Sequence, residues 1–297
     1  MKGAKRPEQK PIDPIALRDE AVNAAKNYDM VLFIGGLNKN GGEDCEGTDR
    51  KGLGLSYQQD ALVSALAKAN PNLAVVLISG NAISMPWVKQ VPSILQAWYI
   101  GSAAGEAIAD VLFGDVNPSG KLPFTFPVRL EDNGAIAMGE YPGDKDDVHY
   151  NESIWVGYRW VDKKNIKPLF AFGHGLSYTT FKLGTVKADK KNFTGDDTIT
   201  FTVSVKNTGN RAGAEVVQLY INDVKSSLPR PLKELKGFQK IFLQPGETKD
   251  ATFTINKESL AFYSDVENKW VAEPGDFKAL IGTASDEIRS SIGFSYE

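Results

Sequence analysis

At 297 residues the chain is long enough for two hydrophobic cores. Its 34 Lys plus Arg against 37 Asp plus Glu give a formal net charge of −3 without any basic block, which argues against a nucleic-acid surface. A single cysteine excludes an intrachain disulfide and a Cys-rich zinc site, and no apolar run approaches the length of a membrane-spanning helix.

Met1 to Pro14 carries Lys2, Lys5 and Arg6 but then proline and acid where a signal peptide has its apolar core, so no signal is expected within the chain. From Pro14 to Asn27, Ile15, Leu17, Ala21, Val22, Ala24 and Ala25 recur on a helical period, with Asp13 as the cap. Met30 to Ile34 is a short run without alternation, expected to be a strand buried on both faces and ended by Gly35-Gly36. A second helix is expected from Ser56 to Asn70, a second buried strand from Leu73 to Ile78, and a third from Ile94 to Trp98. Gly101 to Gly105 then opens a helix that runs to Phe113. This alternation of strand, loop and helix predicts a mostly parallel sheet whose ligands gather at the carboxyl ends of the strands.

Residues 114–127 are rich in turn formers and predict an extended surface run, followed by an irregular arm at 128–165 that carries Trp155 and Trp160. Near Thr180 the period changes from 3.6 to 2. Thr198 to Lys206, Glu215 to Ile221, Leu235 to Leu243, Lys249 to Ile255, Phe277 to Ile281 and Ser290 to Phe294 read as short strands, which together predict an immunoglobulin-like β-sandwich. The fold class expected is therefore α/β followed by all-β. The domain limits expected are 1–165 for the α/β part, 166–180 for a crossover and 181–297 for the sandwich.

The densest chemistry lies in Gly41 to Arg50, GGEDCEGTDR, directly after the first strand. Two nearby carboxyl groups among Glu43, Asp44, Glu46 and Asp49 can split their proton affinities and leave one as a general acid; a solvated acidic loop is the plainer reading. Arg50 is expected to pair with Asp49, leaving Glu43 and Glu46 freer. The order of acids does not fit an EF-hand, no Gly-Lys-Ser/Thr follows for phosphate, and GGLNKNGG lacks the dinucleotide spacing. Cys45 reads as a small buried filler, because His149 and His174 are remote in sequence and neighbouring carboxylates raise a thiol pKa. His174 sits in a Gly-His-Gly turn. Asp144, Asp146, Asp147 and His149 read as a solvated charge run before a metal site. Trp87, Trp98, Tyr99, Trp155, Tyr158 and Trp160 are residue types on which sugars stack, and equally ordinary core residues.

The run GGLNKNGGEDCEGTDRKGLGLSYQQDALVSAL resembles the second domain of glycoside hydrolase family 3, the β-glucosidase and β-xylosidase family. GSAAGEAIADVLFGDVNPSGKLPFTFP and VGYRWVDKKNIKPLFAFGHGLSYTTF resemble the segments that follow there. NTGNRAGAEVVQLYI and KELKGFQKIFLQPGET resemble its fibronectin III-like domain, so the matching motifs come in family order over nearly the whole chain. The resemblance implies a retaining mechanism on a β-linked oligosaccharide or aryl glycoside, without cofactor or metal, in which an Asp of an N-terminal TIM barrel attacks the sugar and a Glu of the second domain protonates the leaving oxygen. In the Glu-Gly-x-Asp-Arg pattern Glu46 is the first choice for that acid/base and Glu43 the second. Asp49, Arg50 and Trp87 are expected to contact substrate.

A barrel needs about 250 residues, so the nucleophile is expected to be missing here, the chain to be inactive alone, and an edge or face of the first sheet to be exposed. The family is generally periplasmic or exported in Gram-negative bacteria, so the resemblance implies a periplasmic or extracellular location. A reading from another class is a non-catalytic carbohydrate-binding or assembly module, motivated by the sandwich, the tryptophans and the absent nucleophile.

Overall fold

The computed structural model describes residues 13–144 and 146–297; the stretch read above for a signal lies almost wholly outside them. The chain divides into two compact units, Met1–Ala104 and Gly105–Glu297.

In the first unit, helix α1 (Pro14–Ala25) begins as expected. The Asp13 carboxylate accepts the Ile15 N–H at 2.9 Å, and proline at the first turn has no donor to leave unsatisfied. Strands β1 (Val31–Gly36), β2 (Leu73–Ile78) and β3 (Ser93–Gln96) form a three-stranded parallel sheet in that order, so β2 is central and β1 lies at an edge. In β2, Leu73, Val75, Val76 and Leu77 are all buried. Such side chains each contribute roughly 1.5–3 kcal/mol when removed from water.

The expectation that β1 is buried on both faces is corrected. Phe33 is buried, while Leu32 and Ile34 point the other way and are 45% and 55% exposed. An uninterrupted apolar run fixes neither the position of a strand in its sheet nor whether both faces are covered. The exposed face fits the expectation of an uncovered sheet. Gly36 ends β1 with φ +142°, and a Cβ there would stand 2.0 Å from the Ile78 carbonyl oxygen, so only glycine lets the two parallel strands approach so closely.

Helix α2 (Gln59–Ala69) starts later than its apolar stripe suggested, because Tyr57 and Gln58 are both left-handed (φ 56° and 60°) and cannot continue a right-handed helix. Its first residue clamps the end of β1: the Gln59 amide donates to the Gly36 carbonyl and accepts the Gly36 N–H, both at 2.8 Å. The third strand stops before Trp98, whose φ of 58° breaks the extended run.

The second unit contains almost all of α3 (Ala104–Phe113), a run closed by a bridge between Phe126 and Phe170, and the arm. The arm is less irregular than expected, with a 3-10 turn at Leu130–Asp132, the one-turn helix α4 (Gly134–Ala137) and α5 (Tyr158–Lys164). Trp160 is buried and donates to the Asp132 carbonyl. Strands β4 (Phe181–Leu183), β5 (Lys187–Ala188), β6 (Asn192–Phe193), β7 (Ile199–Asn207), β8 (Gly213–Asp223), β9 (Glu234–Leu243) and β10 (Thr248–Ile255) follow. A turn of helix, α6 (Lys257–Leu260), leads into β11 (Phe262–Ser264), β12 (Lys269–Val271), β13 (Gly275–Ala284) and β14 (Glu287–Tyr296).

One sheet runs β10-β7-β4 with β5 also on β7; the other runs β6-β14-β13-β8-β9. Along β7, Ile199, Phe201, Val203 and Val205 alternate inward, where Leu219, Ile281, Phe277 and Phe294 also pack. All six sequence-read strands are present, and the chain is α/β followed by all-β.

Candidate active site

Loops leave the carboxyl ends of β1, β2 and β3 on one side of the parallel sheet, where α/β proteins bind ligands. The loop after β1 contains the acidic run. Its start is tied to β2 by Leu37 N–H to the Ile78 carbonyl at 2.8 Å, and it folds on itself through Asp44 N–H to the Asn38 carbonyl at 3.0 Å.

Asp44 organises the three loops. Its Oδ2 accepts the Gly80 N–H at 2.6 Å and the Tyr99 hydroxyl at 3.0 Å, and its Oδ1 accepts the Asn81 amide at 3.2 Å. The Arg50 guanidinium stands 3.9 Å from Oδ1. The Asp44 side chain is only 3% exposed, so each of these donors offsets the loss of water from its charge. Arg50 also donates to the carbonyls of Ala82 at 3.0 Å and Gly54 at 3.3 Å. Burial lowers the Arg50 pKa, opposed by the charges of Asp44 and Glu43. Burial, and then the hydrogen bond to Asp44, push the Tyr99 hydroxyl up to about 12, so it is a neutral donor at ordinary pH.

The sequence candidates separate on this frame. Glu46 is exposed and, among the described residues, has no hydrogen-bond or ion-pair partner. Glu43 is buried, and its Oε2 accepts the Asn38 N–H at 2.8 Å, closing a turn inside the loop. The expected Asp49–Arg50 pair does not form. Asp49 is exposed, and Arg50 turns inward to Asp44, where a desolvated carboxylate and two free carbonyls offer more than a solvated neighbour does.

Trp87 is fully buried and donates to Asp60 Oδ1 at 2.8 Å, while Asp60 Oδ2 accepts the Leu55 N–H at 2.8 Å. It braces the chain from 55 to α2 and offers no face to a sugar, contrary to the expectation of substrate contact. Cys45 is half-buried rather than a core filler, with Sγ 2.9 Å from the Thr48 hydroxyl. The Thr48 hydroxyl, followed by backbone contact with Gly42, lowers its thiol pKa, opposite to the expected rise, because hydrogen bonding to the sulfur outweighs its desolvation.

Among the described residues no cluster of His, Cys, Asp and Glu is arranged to hold a metal ion. Near Asp144 the chain turns back through Asp144 N–H to the Asp147 carbonyl at 3.0 Å. His174 stacks on Phe170 at 5.0 Å, and burial lowers its pKa. The residues that sequence reasoning missed are Asn81 and the role of Asp44. The available signal was Ser79-Gly80-Asn81, a turn at the carboxyl end of the most deeply buried strand.

Residues 12–178 match the glycosyl hydrolase family 3 C-terminal domain, and residues 215–285 match a fibronectin type III-like domain. The chain belongs to glycosyl hydrolase family 3. It is 52% identical over 283 residues to a beta-glucosidase of Bacteroides ovatus, covering 95% of this chain and 38% of that protein. It is 47% identical to the thermostable beta-glucosidase B of Acetivibrio thermocellus, covering 92% of this chain and 36% of that protein. The crystal structure of a beta-glucosidase from Kluyveromyces marxianus superimposes with a TM-score of 0.91 at 40% identity, covering 97% of this chain and 35% of that one. This chain of family 3 thus spans a little over a third of the length of these relatives.

Proposed function

We propose that this chain is the C-terminal portion of a retaining, exo-acting β-glucosidase, with an α/β domain ending near residue 165 and a fibronectin III-like domain from 181, and that Glu46 is its acid/base. The observation that carries the assignment is the division of labour in one loop. Asp44 is immobilised by three hydrogen bonds from two neighbouring loops, while Glu46, two residues on, presents an unengaged carboxyl. A general acid must be free to exchange its proton with the substrate and yet be held in place, and the Asp44 anchor supplies the holding.

In the proposed reaction a carboxylate from a barrel domain outside these residues attacks the anomeric carbon while the Glu46 carboxyl gives its proton to the departing glycosidic oxygen. The glycosyl-enzyme ester is then hydrolysed by water whose proton returns to Glu46. The two carboxyl groups must come within about 5–5.5 Å for this retaining course. Glu43, buried and committed to the Asn38 backbone, is the weaker choice. Asp49 is exposed close by and remains a proposed sugar contact, whereas Arg50 acts on the loop through Asp44. The exposed apolar side chains Leu32 and Ile34 of β1 and Ile15 and Leu17 of α1 favour an assembled state in which further polypeptide covers them.

The test is a chimera that places this chain behind the portion of the Bacteroides ovatus relative that it does not match. The chimera should hydrolyse aryl β-glucosides and the chain alone should not. E46Q should lose about 10²–10⁴-fold on substrates with poor leaving groups, lose far less on activated ones that need no proton, and form a β-glucosyl azide when azide is added. Full activity in E46Q on unactivated substrates overturns the assignment, and turnover by the isolated chain overturns the need for a second carboxylate.

A further inference from the structure

Four of the five tryptophans are buried or half-buried; Trp270 is 70% exposed. It lies on β12, where it is paired in register with Tyr263 of β11, itself 45% exposed. The two rings meet edge to face, centroids 5.9 Å apart and planes at 77°. Neighbours on the same strands are more covered, Ser264 buried and Val271 half-buried, whereas the aromatic pair faces solvent. The Tyr263 hydroxyl donates to Asn268 Oδ1 at 2.7 Å, which fixes the phenol and leaves the Asn268 amide N–H groups free. The Trp270 indole N–H has no partner among the described residues, and an edge-to-face pair covers at most one side of an indole.

We infer that this hairpin is a stacking platform for a β-linked glucan chain. Pyranose rings present an axial C–H face that packs on an indole and equatorial hydroxyls that need donors and acceptors at its rim, which is the combination found here. An apolar protein partner would leave the indole N–H and the Asn268 amide unsatisfied on burial. The inference rests on the proposed β-glucosidase reading for its ligand class, since a glucan is the polymer from which such an enzyme draws its substrate.

The test is native affinity electrophoresis of the 297-residue chain in gels containing soluble barley β-glucan, with dextran gels as control. The wild-type chain should be retarded in β-glucan only. W270A should bind about tenfold more weakly, and W270F, which keeps an aromatic face, should retain part of the retardation. Unchanged far-ultraviolet circular dichroism of W270F keeps the comparison valid should W270A misfold. Equal wild-type mobility in the two gels overturns the platform, as does retardation that W270A and W270F leave untouched. A dimer that W270A converts to monomer in sedimentation also overturns it, by assigning the face to a second copy. E46Q should be retarded like the wild type. A chimera that hydrolyses but is not retarded therefore overturns the platform alone, and one that is retarded but inert overturns only the catalytic reading.

Discussion

Asp44 Oδ2 stands 2.6 Å from the backbone nitrogen of Gly80, a contact that fastens the loop after β1 to the loop after β2 across 36 residues of sequence. The same oxygen receives Tyr99 from the loop after β3, so one carboxylate joins all three carboxyl-end loops of the parallel sheet. Replacing it tests whether the proposed acid/base depends on being held. D44A leaves the Gly80 N–H and the Asn81 amide without their acceptor and a largely buried guanidinium without its counter-charge, which should cost about 3 kcal/mol of stability. D44N keeps the shape but presents a donor toward donors, and should lower kcat/KM of the chimera about 10²-fold with Glu46 still present. As a readout independent of turnover, the Tyr99 hydroxyl, raised to about 12 in the wild type, should titrate lower in D44N, followed by its ring-carbon resonance. Unchanged titration and unchanged activity in D44N would show that the loop is held by other means.

Much of the parallel sheet could be read from sequence because burial leaves a plain mark there. Leu73 to Ile78 is an uninterrupted apolar run, and it is β2 to the residue. The sandwich was equally legible, since Ile199, Phe201, Val203 and Val205 alternate with polar side chains. What sequence could not supply was any relation set by distant pairing. Asp49 was the obvious partner for Arg50 by adjacency, whereas Arg50 chooses Asp44, and Asp44 depends on Gly80, Asn81 and Tyr99, lying 36, 37 and 55 residues away. Trp87 looked like a sugar platform by residue type, and only its bond to Asp60 reveals an internal brace. The left-handed pair Tyr57 and Gln58 carries no glycine or asparagine to announce it.

Cys45 offers a local probe of the loop after β1. The Thr48 hydroxyl is the largest influence lowering its pKa, and it also accepts the Gly42 N–H at 2.6 Å, so one side chain both shapes the turn and favours the thiolate. Alkylation by iodoacetamide proceeds through the thiolate. Its rate should therefore reach half-maximum at a lower pH than for a free cysteine, and T48V should move that midpoint upward. Modification of Cys45, adjacent to Glu46, should also suppress turnover of the chimera. Equal midpoints for wild type and T48V would remove the hydroxyl from the account.

The sandwich contains a buried ionic group whose acid response has a defined sign. Arg230, 8% exposed at its side chain, bridges Glu234 at 2.5 Å and Asp223 at 3.5 Å, and its guanidinium lies 5.1 Å from the Phe262 ring centre. The two carboxyls respond oppositely. Burial pushes Asp223 up, with Arg230 only partly opposing it. For Glu234 the same burial is outweighed by the hydrogen bond from Arg230 and the charges of Lys236, Arg230 and Arg159, so its pKa is depressed. A depressed folded-state pKa stabilises the fold above the unfolded carboxylate value of about 4.3, and that stabilisation is lost as pH falls through the folded value. Asp223 has the reverse sign: its raised pKa favours the fold at low pH and opposes it as pH rises. E234Q should therefore destabilise the chain by about 3 kcal/mol at pH 7, with the difference from wild type shrinking as pH drops below 4 or so. D223N should cost much less at pH 7, because the carboxylate it removes is the one that burial disfavours. Urea unfolding of the three proteins from pH 3 to pH 8 measures both; equal penalties for E234Q and D223N at pH 7, or a penalty for E234Q that grows on acidification, would contradict the assignment of Glu234 as the ionised partner of Arg230.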